Sequence, residues 1–125
     1  MGATVLAVAA PALAKTAPNI ACMQSAIAVR ESAVQKAFTA YTQAVSGALT
    51  KRATDLAAAW VLTDTSARRQ AIKGAWVSFR NTKQTAKKMY VKDRKALMTT
   101  FKSAAKLCKV ETGEDASNES LDLQP

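Results

Sequence analysis

Apolar residues recur along most of this chain at steps of three, four and seven. From Asn19 onward the run is Met23, Ile27, Val34, Phe38, Tyr41, Val45, Leu49, Leu56 and Trp60, with Arg30, Lys36, Gln43 and Lys51 between them. That spacing places apolar side chains on one face of an α-helix. A second run follows: Ile72, Trp76, Phe79, Tyr90, Leu97, Phe101, Leu107 and Cys108. Between the two lies Leu62-Thr63-Asp64-Thr65-Ser66. Its short polar side chains cap helix starts and compete with the backbone in helix interiors. Proline, which breaks helix interiors, occurs only at positions 11, 18 and 125. The pattern predicts helices over about 20–61 and 65–110, with Asn19 as the first N-cap.

A short turn between two long helices makes an antiparallel hairpin. Folding near residue 65 brings together residues whose numbers add to about 130. Cys22 and Cys108 meet that condition, and so, within one, do Ile27 with Ala104, Val34 with Leu97, Tyr41 with Tyr90 and Val45 with Ala86. The cysteines did not place the turn, so their match tests it, and it predicts a Cys22–Cys108 disulfide across the open end. The predicted fold class is therefore all-α: two long antiparallel helices clipped into a hairpin. No internal repeat is evident. A strict seven-residue seam brings Lys83 and Asp93 inward and sets Arg52 opposite Phe79. The apolar stripe is wide enough to suggest pairing of two hairpins into a four-helix bundle, a homodimer.

The ends of the chain differ from this body. Residues 3–14 form an uncharged run of small and apolar residues closing on Ala12-Leu13-Ala14, followed by Lys15. This has the form of a secretory signal peptide over residues 1–14, with 15–19 as a linker, and implies a secreted, periplasmic or cell-surface protein. Lys15, Pro18 and Asn19 separate Cys22 from that run, which argues against a lipid-anchored cysteine. Residues 111–125 carry five acids and no base, with Leu121 and Leu123 as the only large apolar residues, and read as a disordered tail.

Composition narrows the function. A chain of 125 residues allows one small domain. Histidine is absent, which removes the commonest general base and metal ligand. Two cysteines cannot hold a structural zinc ion alone. No glycine-rich phosphate loop is present, and Glu31, Asp55, Asp64 and Asp93 make no obvious catalytic pair. The expectation is a protein that is not an enzyme, with no metal, no cofactor and no small-molecule substrate.

The net charge of +9 conceals a division. All 18 Lys and Arg lie between Lys15 and Lys109, where only four acids occur, so that stretch carries +14 and the tail −5. The second helix holds most of it. On a helical wheel Lys73, Arg80, Lys88, Lys92, Lys95, Lys102, Lys106 and Lys109 fall within about 120° of one another, opposite Ile72, Phe79, Tyr90, Leu97 and Cys108. Arg68, Arg69, Lys83, Lys87 and Arg94 flank this stripe. A solvated charged face is the plain explanation. Non-specific binding of a polyanion is the functional one, and lysine over arginine suits backbone phosphate better than base edges. Trp60 and Trp76 flank the turn, with spacing that suits the core better than a stacking surface.

The stretch Ala59-Trp60-Val61-Leu62-Thr63-Asp64, with Ala67-Arg68-Arg69 and Ala71-Ile72-Lys73-Gly74-Ala75-Trp76, resembles uncharacterised small secreted bacterial proteins. These are Ala/Lys-rich helical chains with a cysteine near each end. The resemblance implies secretion and the hairpin, and no activity. The functional expectation is a secreted or envelope protein that binds nucleic acid or an acidic cell-surface polymer. The alternatives are a structural or chaperone-like helical protein with a protein partner, and attachment to an anionic membrane surface.

Overall fold

The computed structural model describes residues 19–109 as two antiparallel helices packed against each other, α1 (Ile20–Ala59) and α2 (Thr65–Leu107). The signal segment, most of the linker and the acidic tail expected from sequence lie outside the described residues. Both helix starts are capped as their sequences suggest. The Asn19 side chain accepts from Cys22 N at 3.0 Å, and that of Asp64 accepts from Ala67 N at 2.8 Å. These bonds satisfy amides that an uncapped helix leaves orphaned. Across the turn, Arg68 Nη1 donates to the carbonyl of Leu62 at 3.1 Å. At the open end the Cys22–Cys108 disulfide joins the helices with a Cα–Cα distance of 5.5 Å. Beside it, Asn19 N donates to the Cys108 carbonyl at 3.1 Å. The hairpin and the disulfide are thus as expected, and the helices stop two and three residues short of the expected ends.

The seam has a repeat that a seven-residue frame hides. On α1 it runs Met23, Ala26, Arg30, Val34, Ala37, Tyr41, Val45, Ala48, Arg52, Leu56 and Ala59, every one buried or half-buried. The steps are three, four and four, so the pattern returns every eleven residues. On α2 the same steps give Ile72, Ala75, Phe79, Lys83, Ala86, Tyr90, Arg94, Leu97, Phe101, Ala105 and Cys108, and only Lys83 is exposed. Eleven residues in three turns is about 3.67 per turn, close to a straight helix, whereas a seven-residue seam drifts by about 20° per repeat. The expectation that no internal repeat exists is corrected here.

Facing residues have numbers adding to 131, which stacks the hairpin in layers. Three layers, eleven residues apart, are visible as ring contacts. The Arg30 guanidinium lies 4.4 Å from the Phe101 ring centroid and that of Arg52 lies 4.4 Å from Phe79. Between them Tyr41 and Tyr90 pack with centroids 5.7 Å apart. Arg94 falls opposite the small Ala37 and is fully buried. It therefore does not flank the cationic stripe as expected, because the eleven-residue frame turns it inward.

The same frame explains why residues that the sequence placed in the core are exposed or, in the case of Ile27, half-buried. Ile27, Phe38, Leu49 and Trp60 are themselves eleven apart, each one position past a seam alanine. They stand about 65° off the seam centre. Phe38 is 47% exposed, Leu49 42% and Trp60 67%. Trp76, also one position past the seam, is 46% exposed, so neither tryptophan is core. Both are instead covered on one side by arginine: Arg68 is 5.1 Å from the Trp60 ring and Arg52 is 4.3 Å from that of Trp76.

Candidate polyanion-binding flank

A two-helix layer has two flanks, and the eleven-residue frame assigns residues to each. On the flank that follows the seam, α1 contributes the row Ile27, Phe38, Leu49 and Trp60. The neighbouring edge of α2 carries Lys73, Arg80, Lys87, Lys95, Lys102 and Lys106 between about 65° and 130° from its seam, with Trp76 and Val91 among them. Lys109, expected on the same helical stripe, lies past the helix end with φ 60° and so leaves the helical frame. Lys88 and Lys92 continue the charge round the back. Sequence reasoning set this stripe opposite the core. It lies instead on one flank, beside the apolar row of α1, because the core has turned toward Arg94, Met98 and Ala105.

Of the eight stripe residues expected to bind polyanions, Lys73, Arg80, Lys88, Lys92, Lys95, Lys106 and Lys109 are exposed and Lys102 is half-buried. From Lys73 to Lys106 they span roughly 50 Å of α2, with Lys109 just past its end. The densest part is a shallow depression of about 480 Å³ lined by Lys87, Lys88, Val91, Lys92 and Lys95. Four lysine side chains line it around one apolar side chain. The only acid within α2 is Asp93, which lies on the opposite flank. Phosphate or carboxylate groups spaced along a polymer would meet cations at successive helical turns.

The flank that precedes the seam is of another kind. Its α1 side includes Val29, Ala33, Lys36, Ala40, Lys51, Asp55 and Ala58, and its α2 side Ala71, Gly74, Ser78, Met89, Asp93, Ala96, Thr100, Ala104 and Leu107. Small residues predominate, and two lysines balance two aspartates. Lys51 Nζ pairs with Asp55 Oδ2 at 2.6 Å. At the disulfide end this flank opens into an apolar groove of about 420 Å³, with Cys22, Val29, Ala33, Leu97, Phe101 and Leu107 in its walls.

Among the described residues no three His, Cys, Asp or Glu side chains gather where a metal ion could be held. No described helix is long and apolar enough to cross a membrane. No protein-family model, curated protein or solved structure matches the chain. None of these comparisons supports the expected resemblance to small secreted bacterial proteins.

Three features were missed in the sequence: the eleven-residue seam, the apolar row beside the cations, and Arg30 as a cation over a core ring; Arg52 opposite Phe79 was expected and is found. The signal was there in Arg30, Tyr41 and Arg52 on α1, and in Phe79, Tyr90 and Phe101 on α2, each set eleven apart.

Proposed function

We propose that this protein is a non-catalytic, non-specific binder of anionic polymers, exported from the cytoplasm, which holds its ligand along the cationic flank of α2. The observation that carries this reading is the display itself. Five exposed cations (Lys73, Arg80, Lys87, Lys95 and Lys106) and the half-buried Lys102 line one flank of α2, and Lys88 and Lys92 continue the charge round the back, with no acid among them. Repulsion at i,i+4 spacing costs a few tenths of a kcal/mol per pair, which an anionic partner offsets. Export is supported by the disulfide, since such bonds persist in oxidising compartments. Nucleic acid and acidic cell-surface polymers share the chemistry that this flank recognises.

A second reading, attachment to an anionic membrane surface, is favoured by one observation. Phe38, Leu49 and Trp60 stand exposed in a row beside the cations. Apolar side chains bordered by lysine suit the headgroup boundary of a bilayer.

Fluorescence titration against duplex DNA and against vesicles with and without phosphatidylserine, each over a range of salt, tests both. On DNA the affinity should fall steeply with salt. Replacing Lys73, Lys88, Lys92, Lys95 and Lys106 by Gln should flatten the log–log slope by up to about 4.5, at about 0.9 per phosphate contact. A slope unchanged by those substitutions overturns the polyanion reading. A blue shift of tryptophan emission on anionic vesicles, with no retention on DNA at the same salt, selects the membrane surface.

A further inference from the structure

The flank that precedes the seam, with its small residues and balanced charge, is not covered by any of the described residues. We infer that it is the contact surface for a second copy of this chain, the two hairpins lying side by side in the same direction to form a four-helix bundle.

Charge selects the face. The cationic flank carries at least six Lys and Arg on α2, so two such flanks would repel; the opposite flank carries Lys36, Lys51, Asp55 and Asp93 and is neutral. Charge also selects the arrangement. Lys36 and Asp93 border one depression of about 350 Å³, and neither takes part in an ion pair among the described residues. A two-fold axis along the helices lays α1 of one copy on α2 of the other at the same height. Lys36 then stands within about one helical turn of Asp93 of the second copy, and the symmetry makes the pair twice. End-for-end stacking lays α2 on α2, where this flank offers Asp93 no cation.

Shape agrees with that choice. Met89, 54% exposed, stands at the height of Ala40 and Ala44 of the facing α1. Leu107, 83% exposed, stands at the height of Cys22 and Ser25, on the rim of the apolar groove. Large side chains thus face small ones, as close helix packing requires. The flank is about 60 Å long and about 20 Å across two helices, a footprint above the roughly 800 Å² per partner of a standard interface. Under the proposed function, such a dimer would turn its two cationic flanks outward on opposite sides and could bridge two polyanions.

Sedimentation velocity on the full chain from 1 to 100 µM, without polyanion, reads the mass against the 13.3 kDa of one copy. The expected result is a reversible dimer. Asp93→Lys should weaken it at least tenfold, and Lys36→Asp combined with Asp93→Lys should restore it to within about threefold, with helicity by circular dichroism unchanged throughout. Oxidising a mixture of Ala40→Cys and Met89→Cys chains should give the mixed crosslink. A monomer at 100 µM, a dimer indifferent to Asp93→Lys, a double swap that fails to rescue, or an Ala40→Cys chain that crosslinks mainly to itself would each overturn this interface. All of these are read without DNA or lipid, so they stand or fall apart from the polyanion reading.

Discussion

The two ends of the hairpin are built on one repeat and packed to different depths. At the disulfide end Met23, Ala26, Met98, Phe101, Ala105 and Cys108 form a buried cluster, with Cys22, Ile27, Leu97 and Ala104 packed against it. At the turn end the buried apolar residues are Ala59 and Ala75, while Trp60, Val61, Leu62 and Trp76 are exposed. Equivalent layers show the contrast. Phe101 beneath Arg30 is 3% exposed, whereas Phe79 beneath Arg52 is half-buried. The repeat decides which residues face inward, and the closure of each end decides how far in they go. The Cys22–Cys108 bond clips one end, whereas the other is closed by the chain itself through residues 60–64, steadied by the Asp64 cap and Arg68.

The largest effect expected is therefore at the disulfide. The bond spans a sequence separation of 86 residues, for which the loop-entropy model assigns about 4.5 kcal/mol. Cys22→Ser, Cys108→Ser and the double variant should lose similar amounts in chemical denaturation, because each removes the same bond. Clearly additive losses would contradict a single shared bond. Hydrogen exchange should then show the contrast between the ends reduced or reversed, since the tight end loses its closure.

Next in size is the comparison of equivalent rings. Phe101→Ala removes a fully packed ring and should cost about 3–5 kcal/mol. Phe79→Ala, half-buried at the same position of the repeat, should cost about half as much. Equal losses would mean that the ends are packed alike. A smaller effect attaches to the turn. Asp64→Ala leaves the Ala67 amide without its side-chain acceptor and should cost about 1 kcal/mol, with exchange rising at the start of α2.

Much of this was legible in the sequence. The polar cluster Thr63-Asp64-Thr65-Ser66 located the turn, and the numbers of Cys22 and Cys108 confirmed it independently of any periodicity. Register across the hairpin followed, since Tyr41 does meet Tyr90 and Val34 shares a layer with Leu97. What could not be read from a window of one or two turns was the phase of the seam. Steps of three and four fit seven-residue and eleven-residue repeats equally well over short stretches. Only the longer comparison of Ala26, Ala37, Ala48 and Ala59 separates them. That phase error moved Phe38, Leu49 and both tryptophans from surface to core, and moved Arg94 the other way. The cationic stripe survived it as a set of exposed residues, because charge clustered on one side of a helix stays clustered under a small change of pitch.

The smallest expected effects come from two glycines on the small-residue flank, Gly47 in α1 and Gly74 in α2. A methyl group built at either position meets nothing within 4 Å. Neither has a positive φ, so alanine imposes no backbone strain. Glycine in a helix interior costs about 0.5–1 kcal/mol relative to alanine, because the unfolded chain has more freedom to lose. Gly47→Ala and Gly74→Ala should each gain about that much in a dilute, monomeric sample, raising Tm by roughly 4 °C. The two positions lie roughly 15 Å apart along the hairpin, so their gains should add. They should differ in distribution: Gly74 lies near the turn, so its replacement should slow hydrogen exchange mainly at the loose end, narrowing its difference from the disulfide end. A loss of stability at Gly74 would show that the turn end is packed more tightly than the exposure of Trp60 and Trp76 indicates.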